Sequence, residues 1–197
     1  MFHNGQKNIR VVIHGDDFTV LGQANDLDWF RRGILEKIGV KFRGRLGPEE
    51  GDQKHIRILN RVVTWEERGI KYEADQRHAE IIVKEMGLGD ESKGVVTPGT
   101  KATNEEIEDF DKPVDPGFVT KYRAMAARAM YLAQDRGDIG YAAKERSRRI
   151  ANPSEGDMRN LKRLARYLIG KERMVLRYDY QGVNRHLEVW TDSDYAG

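Results

Sequence analysis

The chain contains no cysteine, which excludes disulfides, thiol nucleophiles and cysteine-based zinc sites together. Its five histidines are scattered, with no pair at zinc-ligand spacing, and this favours surface or structural roles over metal binding. Long apolar runs are missing too. None approaches the ~20 residues that a membrane-crossing helix needs, and the first residues carry no secretory pattern. The expected setting is intracellular, cytoplasm and nucleus not being distinguished, with no membrane partner. Charge, by contrast, is plentiful: Lys and Arg number 34 and Asp and Glu 32 among 197 residues. Hydrophobic residues are adequate for a real core, so the composition suits a globular protein with much exposed helix rather than a disordered one. A core-like hairpin pattern begins almost at Met1, from which a start cut from a longer protein is expected.

The near balance of charge hides an asymmetry. From Gly117 to Arg173 fourteen Lys and Arg face six Asp and Glu, a local excess of roughly +8, while the stretch before it is mildly acidic. A local excess speaks to partners more directly than the total does.

Val11-Val12-Ile13-His14-Gly15-Asp16-Asp17-Phe18-Thr19-Val20-Leu21 organises the first part of the chain. Two runs rich in β-branched and aromatic residues flank a Gly-Asp turn, the signature of a β-hairpin. Two adjacent carboxylates at its tip raise each other's pKa unless a cation holds them, and a hard divalent ion such as Mg2+ is the natural partner. Ordinary turn chemistry with a solvated second Asp is the alternative, and these few residues alone favour it. Helical spacing then predicts a helix over Gln23–Ile38 with Leu27, Phe30, Ile34, Leu35 and Ile38 on one face, capped by Asn25 or Asp26 and ended by Gly39. Strands are expected over Val40–Leu46, His55–Thr64 and Gly69–Glu73, and a helix capped by Asp75 over 75–86, ended by Gly87. This order gives an α+β unit with an antiparallel sheet.

Leu88–Pro116 is aperiodic and rich in Gly, Pro, Thr, Lys and Glu, and reads as an interdomain crossing. Three helices are expected after it. The first starts at Asp115-Pro116 and buries Phe118, Tyr122, Met125, Ala129 and Leu132. The second starts at Asp138 and carries Ile139, Ala142, Ala143 and Ile150. The third opens with the capping box Ser154-Glu155-Gly156-Asp157, buries Met158, Leu161, Ala165 and Leu168, and ends at Gly170. Arg159, Lys162, Arg163 and Arg166 fall at spacings of three and four along one side of that helix. Such a row is either a solvated face or a surface laid along phosphates. Met174–Tyr180 and His186–Thr191 read as a closing hairpin. Strand alternation continued from it would put Asp192 and Asp194 on one face, a second candidate site for a divalent ion or simply an exposed loop.

Taken in order, these pieces resemble the polymerase region of a copia-type LTR retrotransposon. His14-Gly15-Asp16-Asp17 resembles the aromatic-x-Asp-Asp hairpin of its reverse transcriptase, with His for Tyr. Val96-Thr97-Pro98, Tyr122-Arg123, Met130-Tyr131-Leu132-Ala133 and Arg136-Gly137-Asp138-Ile139 follow in the family's order, Gly137 standing for Pro. Ser147-Arg148, Asn152-Pro153 and Lys162–Leu168 continue it, and Thr191–Gly197 resembles the opening of the RNase H domain. Ile58-Leu59-Asn60-Arg61 stands where the family has Phe-Leu-Gly near the primer, Asn60 replacing Gly. The resemblance implies a partial reverse-transcriptase palm over 1–88, a linker over 89–116, a basic helical thumb or connection over 117–173, and the first hairpin of an RNase H-like domain over 174–197.

It further implies Asp16 and Asp17 as catalytic ligands of Mg2+ or Mn2+ in two-metal nucleotidyl transfer, and Asp192, joined by Asp194, as RNase H ligands. The implied partners are an RNA or DNA template-primer, dNTP, and the fingers and upstream palm with a third catalytic Asp. Without that Asp the chain alone is expected to be catalytically incomplete. A non-catalytic nucleic-acid-binding module built on Arg159, Lys162, Arg163 and Arg166 is the alternative. A palm-like nucleotidyl cyclase is a third reading, disfavoured because the later stretches have no counterpart there.

Overall fold

The Asp-Asp hairpin forms. In the computed structural model, which describes residues 1–89, 91–100, 110, 112–182 and 186–191, β2 (Ile9–His14) pairs antiparallel with β3 (Asp17–Leu21) in the register His14↔Asp17, Val12↔Thr19. That register leaves Gly15-Asp16 as a two-residue loop. Gly15 has φ +57°, the positive φ that a type II′ turn requires at its first central position. A short strand the sequence did not announce, β1 (Phe2–Asn4), pairs with the other edge of β2 and makes the order β1-β2-β3. Alternation puts Ile9 and Val11 on the buried side. α1 (Ala24–Lys37) follows, and its Leu27 converges with Ile9 over Gly22. Its N-cap is Gln23, with no side-chain cap bond, instead of Asn25 or Asp26. Asp26 lies in the first turn and holds Lys7 at 3.3 Å. No residue of α1 is fully buried. These elements make one compact unit, residues 1–44.

The second unit covers 45–197. The strand expected over Val40–Leu46 is not there: those residues are irregular, and Leu46 makes only an isolated bridge to Gln53. A strand needs a partner for its backbone groups. This segment instead leads into a loop that Arg45 closes on Asp52 at 2.5 Å. Lys54 Nζ donates into the same loop, to the carbonyls of Gly47, Pro48 and Glu49.

His55–Thr64 is a hairpin and not the single strand its composition suggested. β4 (His55–Ile58) and β5 (Arg61–Glu66) meet across Leu59-Asn60, with φ +47° and +66°. Two successive left-handed residues make a type I′ turn, which favours Asn-Gly. The Asn at position 60 is therefore compatible with the backbone, and Leu59 is the strained member. A branched residue in that region costs about 1–2 kcal/mol. Leu59→Asn is expected to raise unfolding free energy by about 1 kcal/mol, read as a higher denaturant midpoint at unchanged m value. An unchanged or lowered midpoint would show that Leu59 packs more usefully than its half-exposed side chain suggests.

β6 (Gly69–Glu73) extends this sheet, and β7 (Val175–Asp179) completes it in the order β4-β5-β6-β7, antiparallel throughout. The strand expected to open a separate closing hairpin thus finds its partner in β6. Residues 186–191 carry no strand. One face of the sheet presents Ile56, Val63, Trp65, Ile70, Tyr72 and Leu176. The other presents Arg57, Thr64, Glu66, Lys71, Glu73 and Arg177. Ion pairs Glu66–Lys71 and Glu73–Arg173 run along the polar side. Gly69 permits the β6–β7 approach, since a Cβ there would meet the Tyr178 carbonyl at 2.1 Å.

The core of the second unit is helical. α2 (Arg77–Glu85), α3 (Pro116–Ala133), α4 (Gly140–Arg148) and α5 (Glu155–Leu168) pool Ile82, Tyr122, Met125, Leu132, Leu161, Leu164 and Leu168, all buried, with Ile139 just before α4. The punctuation follows the sequence closely. Asp115 accepts the Gly117 N–H at 2.8 Å with Pro116 in the first turn, and Ser154 and Asp157 form the reciprocal capping box. Gly87 and Gly170, both at φ +69°, follow the ends of α2 and α5. Two details differ. Phe118, expected inside, is 53% exposed. The second helix is preceded by a 3-10 turn, Gly137–Ile139. The overall class is mixed α/β, with two antiparallel sheets and, among the described residues, five α-helices. None of the described helices is long and apolar enough to cross a membrane. The divisions at 88, 116 and 173 follow composition and resemblance. The two compact units follow packing, which joins α2 to α3 and α5.

Candidate metal and nucleic-acid sites

Asp16 and Asp17 sit at the tip of the β2–β3 hairpin, both exposed. Asp16 occupies the second loop position and Asp17 the first residue of β3, opposite His14. The Asp17 side chain is 56% exposed and has Arg43 Nη2 at 3.8 Å, a separation at which the guanidinium screens rather than grips it. Two carboxylates and a turn can join the oxygen shell of a Mg2+ ion, which takes a few protein oxygens together with phosphate and water. Among the described residues, no three His, Asp or Glu side chains gather where they could hold a metal. Any further ligand would have to come from outside them. Asp192 and Asp194 lie outside the described residues.

The four basic residues of α5 do not share one environment. Arg159 and Lys162 are exposed, whereas Arg163 and Arg166 are half-buried. Arg163 Nη2 donates to Thr97 Oγ1 at 2.9 Å, and Arg166 Nε donates to the Lys93 carbonyl at 2.9 Å. The sequence offered two readings, solvated face or phosphate track. The structure adds a third use, in which guanidinium groups hold the carbonyls and hydroxyls of irregular backbone. Arg123 does the same at the end of α4, donating to the Ile150 and Ala151 carbonyls at 3.0 and 2.5 Å. There it satisfies carbonyls of the irregular backbone that follows the helix. Much of the local positive excess is thus spent inside the fold, in places that spacing along one helix could not reveal.

Two polar clusters passed unnoticed in the sequence. In the first, Arg136 is 2% exposed and forks onto Asp138 at 2.9 and 2.7 Å. Its remaining Nη1 donates to the Lys171 carbonyl at 2.7 Å, and Tyr167 donates its hydroxyl to Asp138 at 3.0 Å. Burial alone would raise Asp138, but the Arg136 fork and the Tyr167 hydroxyl outweigh it and hold the carboxyl below its usual range. The Arg-Gly-Asp spacing was the available signal, since i and i+2 across a tight turn can form a fork.

In the second, Asp135 accepts Arg61 Nε at 2.9 Å and the Tyr72 hydroxyl at 2.6 Å, which ties the apolar face of the sheet to the end of α3. Burial and the bond to Asp135 push Tyr72 up to about 12. Arg61 also reaches Tyr131, whose ring lies 4.6 Å from that of His78. No sequence period links positions 61, 72 and 135.

These environments set an acid limit on stability. Burial lowers the pKa of His78, and the cations of Arg128, Arg77 and Arg61 add to this against the opposing Asp75. The Tyr131 ring and the Arg128 guanidinium, 3.4 Å from Nδ1, pack directly on it. The unfolded chain therefore binds a proton here before the folded one does, so stability falls as pH drops through about 6.5. Glu73, Asp75 and Asp138 are held below their usual ranges by Arg173, Arg77 and Arg136. They add a second loss below about pH 4. Denaturation midpoints across this range should show both steps, and His78→Phe should remove only the first.

No family model matches this chain, which carries the Asp-Asp hairpin in one compact unit and the basic helical block in the other. No solved structure matches it either. Two relatives do. Over 106 residues, 54% of its length, the chain is 32% identical to the retrovirus-related Pol polyprotein from transposon RE1 of Arabidopsis thaliana. Over 106 residues it is 30% identical to the corresponding polyprotein from transposon RE2 of the same plant. It resembles a segment of a retrotransposon Pol polyprotein, and it spans about 7% of the length of each of these relatives.

Proposed function

We propose that the chain is part of an RNA-directed DNA polymerase of a copia-type retrotransposon, taking in the Asp-Asp end of the palm and the helices that hold template-primer. The identity to two transposon Pol polyproteins carries this reading. The presentation of Asp16 and Asp17 side by side at a hairpin tip supports it. In the proposed enzyme Asp16 and Asp17, with a third acidic residue, would hold two Mg2+ or Mn2+ ions, which would supply activation of the primer hydroxyl and charge stabilisation for the leaving pyrophosphate of the dNTP. Asp192, with Asp194, would begin the metal site of an RNase H domain.

Two carboxylates without a third cannot organise both ions, and none of the described acids joins them. The purified chain alone is therefore expected to give no Mg2+-dependent primer extension. Joined to fingers and a palm segment that bears a third Asp, it should extend a primer, and Asp16→Asn or Asp17→Asn should abolish that extension. Extension that survives both substitutions would remove the polymerase reading.

The basic excess of the helical block supports a second reading, a non-catalytic nucleic-acid-binding module. Phosphate contacts release counterions, so affinity for a primer-template duplex should fall steeply with salt. Lys162→Ala and Arg159→Ala should weaken binding alike for all sequences. Salt-independent affinity would count against both readings of the helices.

A further inference from the structure

Residues 93–97 lie along the C-terminal half of α5. The Val95 N–H donates to the Arg166 carbonyl at 3.3 Å, Arg166 Nε donates back to Lys93, and Lys171 Nζ reaches the Val95 carbonyl at 3.5 Å. At the end of this strap Arg163 Nη2 donates to Thr97 Oγ1 at 2.9 Å. Thr97 is exposed, in backbone without regular structure, and Pro98 follows it. Of the five prolines, only Pro98 follows a hydroxyl residue.

The charges around this hydroxyl are unbalanced. Among the described residues, no carboxylate pairs with Arg163 or Arg166, whose partners are the Thr97 hydroxyl and the Lys93 carbonyl. Arg163 Nε is buried with no acceptor. Two guanidinium groups, with Lys171 beside them, are held only by neutral oxygens. A guanidinium normally takes an anion in a two-pronged bond about twice as strong as a neutral one. The neutral Thr97 hydroxyl occupies the place such an anion would fill.

We propose that Thr97 is a phosphorylation site, modified by a proline-directed Ser/Thr protein kinase and read by Arg163. The kinase transfers the γ-phosphoryl group of ATP to Thr97 Oγ1. The hydroxyl proton passes to the base of the kinase, and ADP leaves. The new group carries about −1.5 to −2 charges and three acceptor oxygens. It replaces one neutral contact with charge-assisted bonds to Arg163 and clamps the strap to α5. It also neutralises part of the basic side of that helix. This last consequence alone rests on the nucleic-acid reading above.

The full chain, treated with a purified proline-directed kinase and ATP, should gain phosphate at Thr97 by peptide mass mapping, and Thr97→Ala should gain none there. In the folded phosphoprotein the second phosphate pKa, followed by 31P NMR, should lie below the ~6 of a free phosphothreonine. It should return to that value in denaturant and in Arg163→Gln. Affinity for a primer-template duplex should fall about tenfold on modification. Failure of the kinase to modify Thr97, or a phosphate pKa identical in folded and denatured chain, overturns the proposal. Because the denatured wild type serves as its own control, the result stands even if Arg163→Gln does not fold. A lowered phosphate pKa in a chain that binds no duplex removes the nucleic-acid reading and leaves the phosphorylation site in place.

Discussion

Arg136→Ala is expected to destabilise the helical unit by about 3–5 kcal/mol, the usual loss when one partner of a buried ion pair is removed. The guanidinium is 2% exposed and makes three bonds: two to Asp138 and one to the Lys171 carbonyl. Its loss strands a carboxylate beside the buried Ile139 and frees a carbonyl beyond the end of α5. The Tyr167 hydroxyl and a backbone N–H would then be left to Asp138, too little to replace a charge. Asp138→Asn should cost less, because the amide oxygen still accepts one bond from Arg136. A double replacement, Arg136→Met with Asp138→Leu, should recover much of the loss, since burying a charge pair gains little over burying apolar atoms of similar volume. Urea unfolding of the three variants tests the set. A loss below about 1 kcal/mol in Arg136→Ala would mean that water reaches the fork.

Asp135→Ala is expected to cost about 2–4 kcal/mol, since the guanidinium it leaves behind is not fully buried and can be partly solvated. The carboxylate is 9% exposed and the Arg61 side chain 15%. Removing Asp135 leaves the guanidinium facing the Tyr131 ring without an anion and deprives the Tyr72 hydroxyl of its acceptor. Tyr72→Phe should cost only about 1 kcal/mol, the net worth of one ordinary hydrogen bond. A double-mutant cycle between Arg61 and Asp135 isolates their coupling. Since Arg61 closes the β4–β5 turn and Asp135 follows α3, that coupling measures how firmly the sheet is held to the helices. Independent losses at the two sites would show that other packing sets the distance.

The regular helices were legible because their signals are local. Asp115-Pro116, the Ser154/Asp157 box, Gly87 and Gly170 each act within one turn of their own helix, and the apolar stripes of α3 and α5 repeat with the helical period. The Asp-Asp hairpin was legible for the same reason, since Gly15 serves a two-residue turn between matching strands. Strands were harder. The local signal at Leu59-Asn60 was mixed, because Asn60 suits a left-handed turn while Leu59 is a poor left-handed residue inside an apolar run. Val40–Leu46 has strand composition and finds no partner, while Val175–Asp179 finds one in β6, about a hundred residues back.

The candidate sites divide along the same line. The resemblance to a transposon polymerase, the two acids at a turn, and the surplus of arginine are properties of residue order, and order alone was enough to read them. Where these guanidinium groups went was decided by tertiary contact: Arg136 across to the Lys171 carbonyl, Arg61 to Asp135, Arg163 and Arg166 onto the 93–97 strap. The physical reason is reach. Turn and helix signals act over a few residues, but an arginine fork selects whichever oxygen the folded chain brings within about 3 Å, and that neighbour has no fixed distance in sequence.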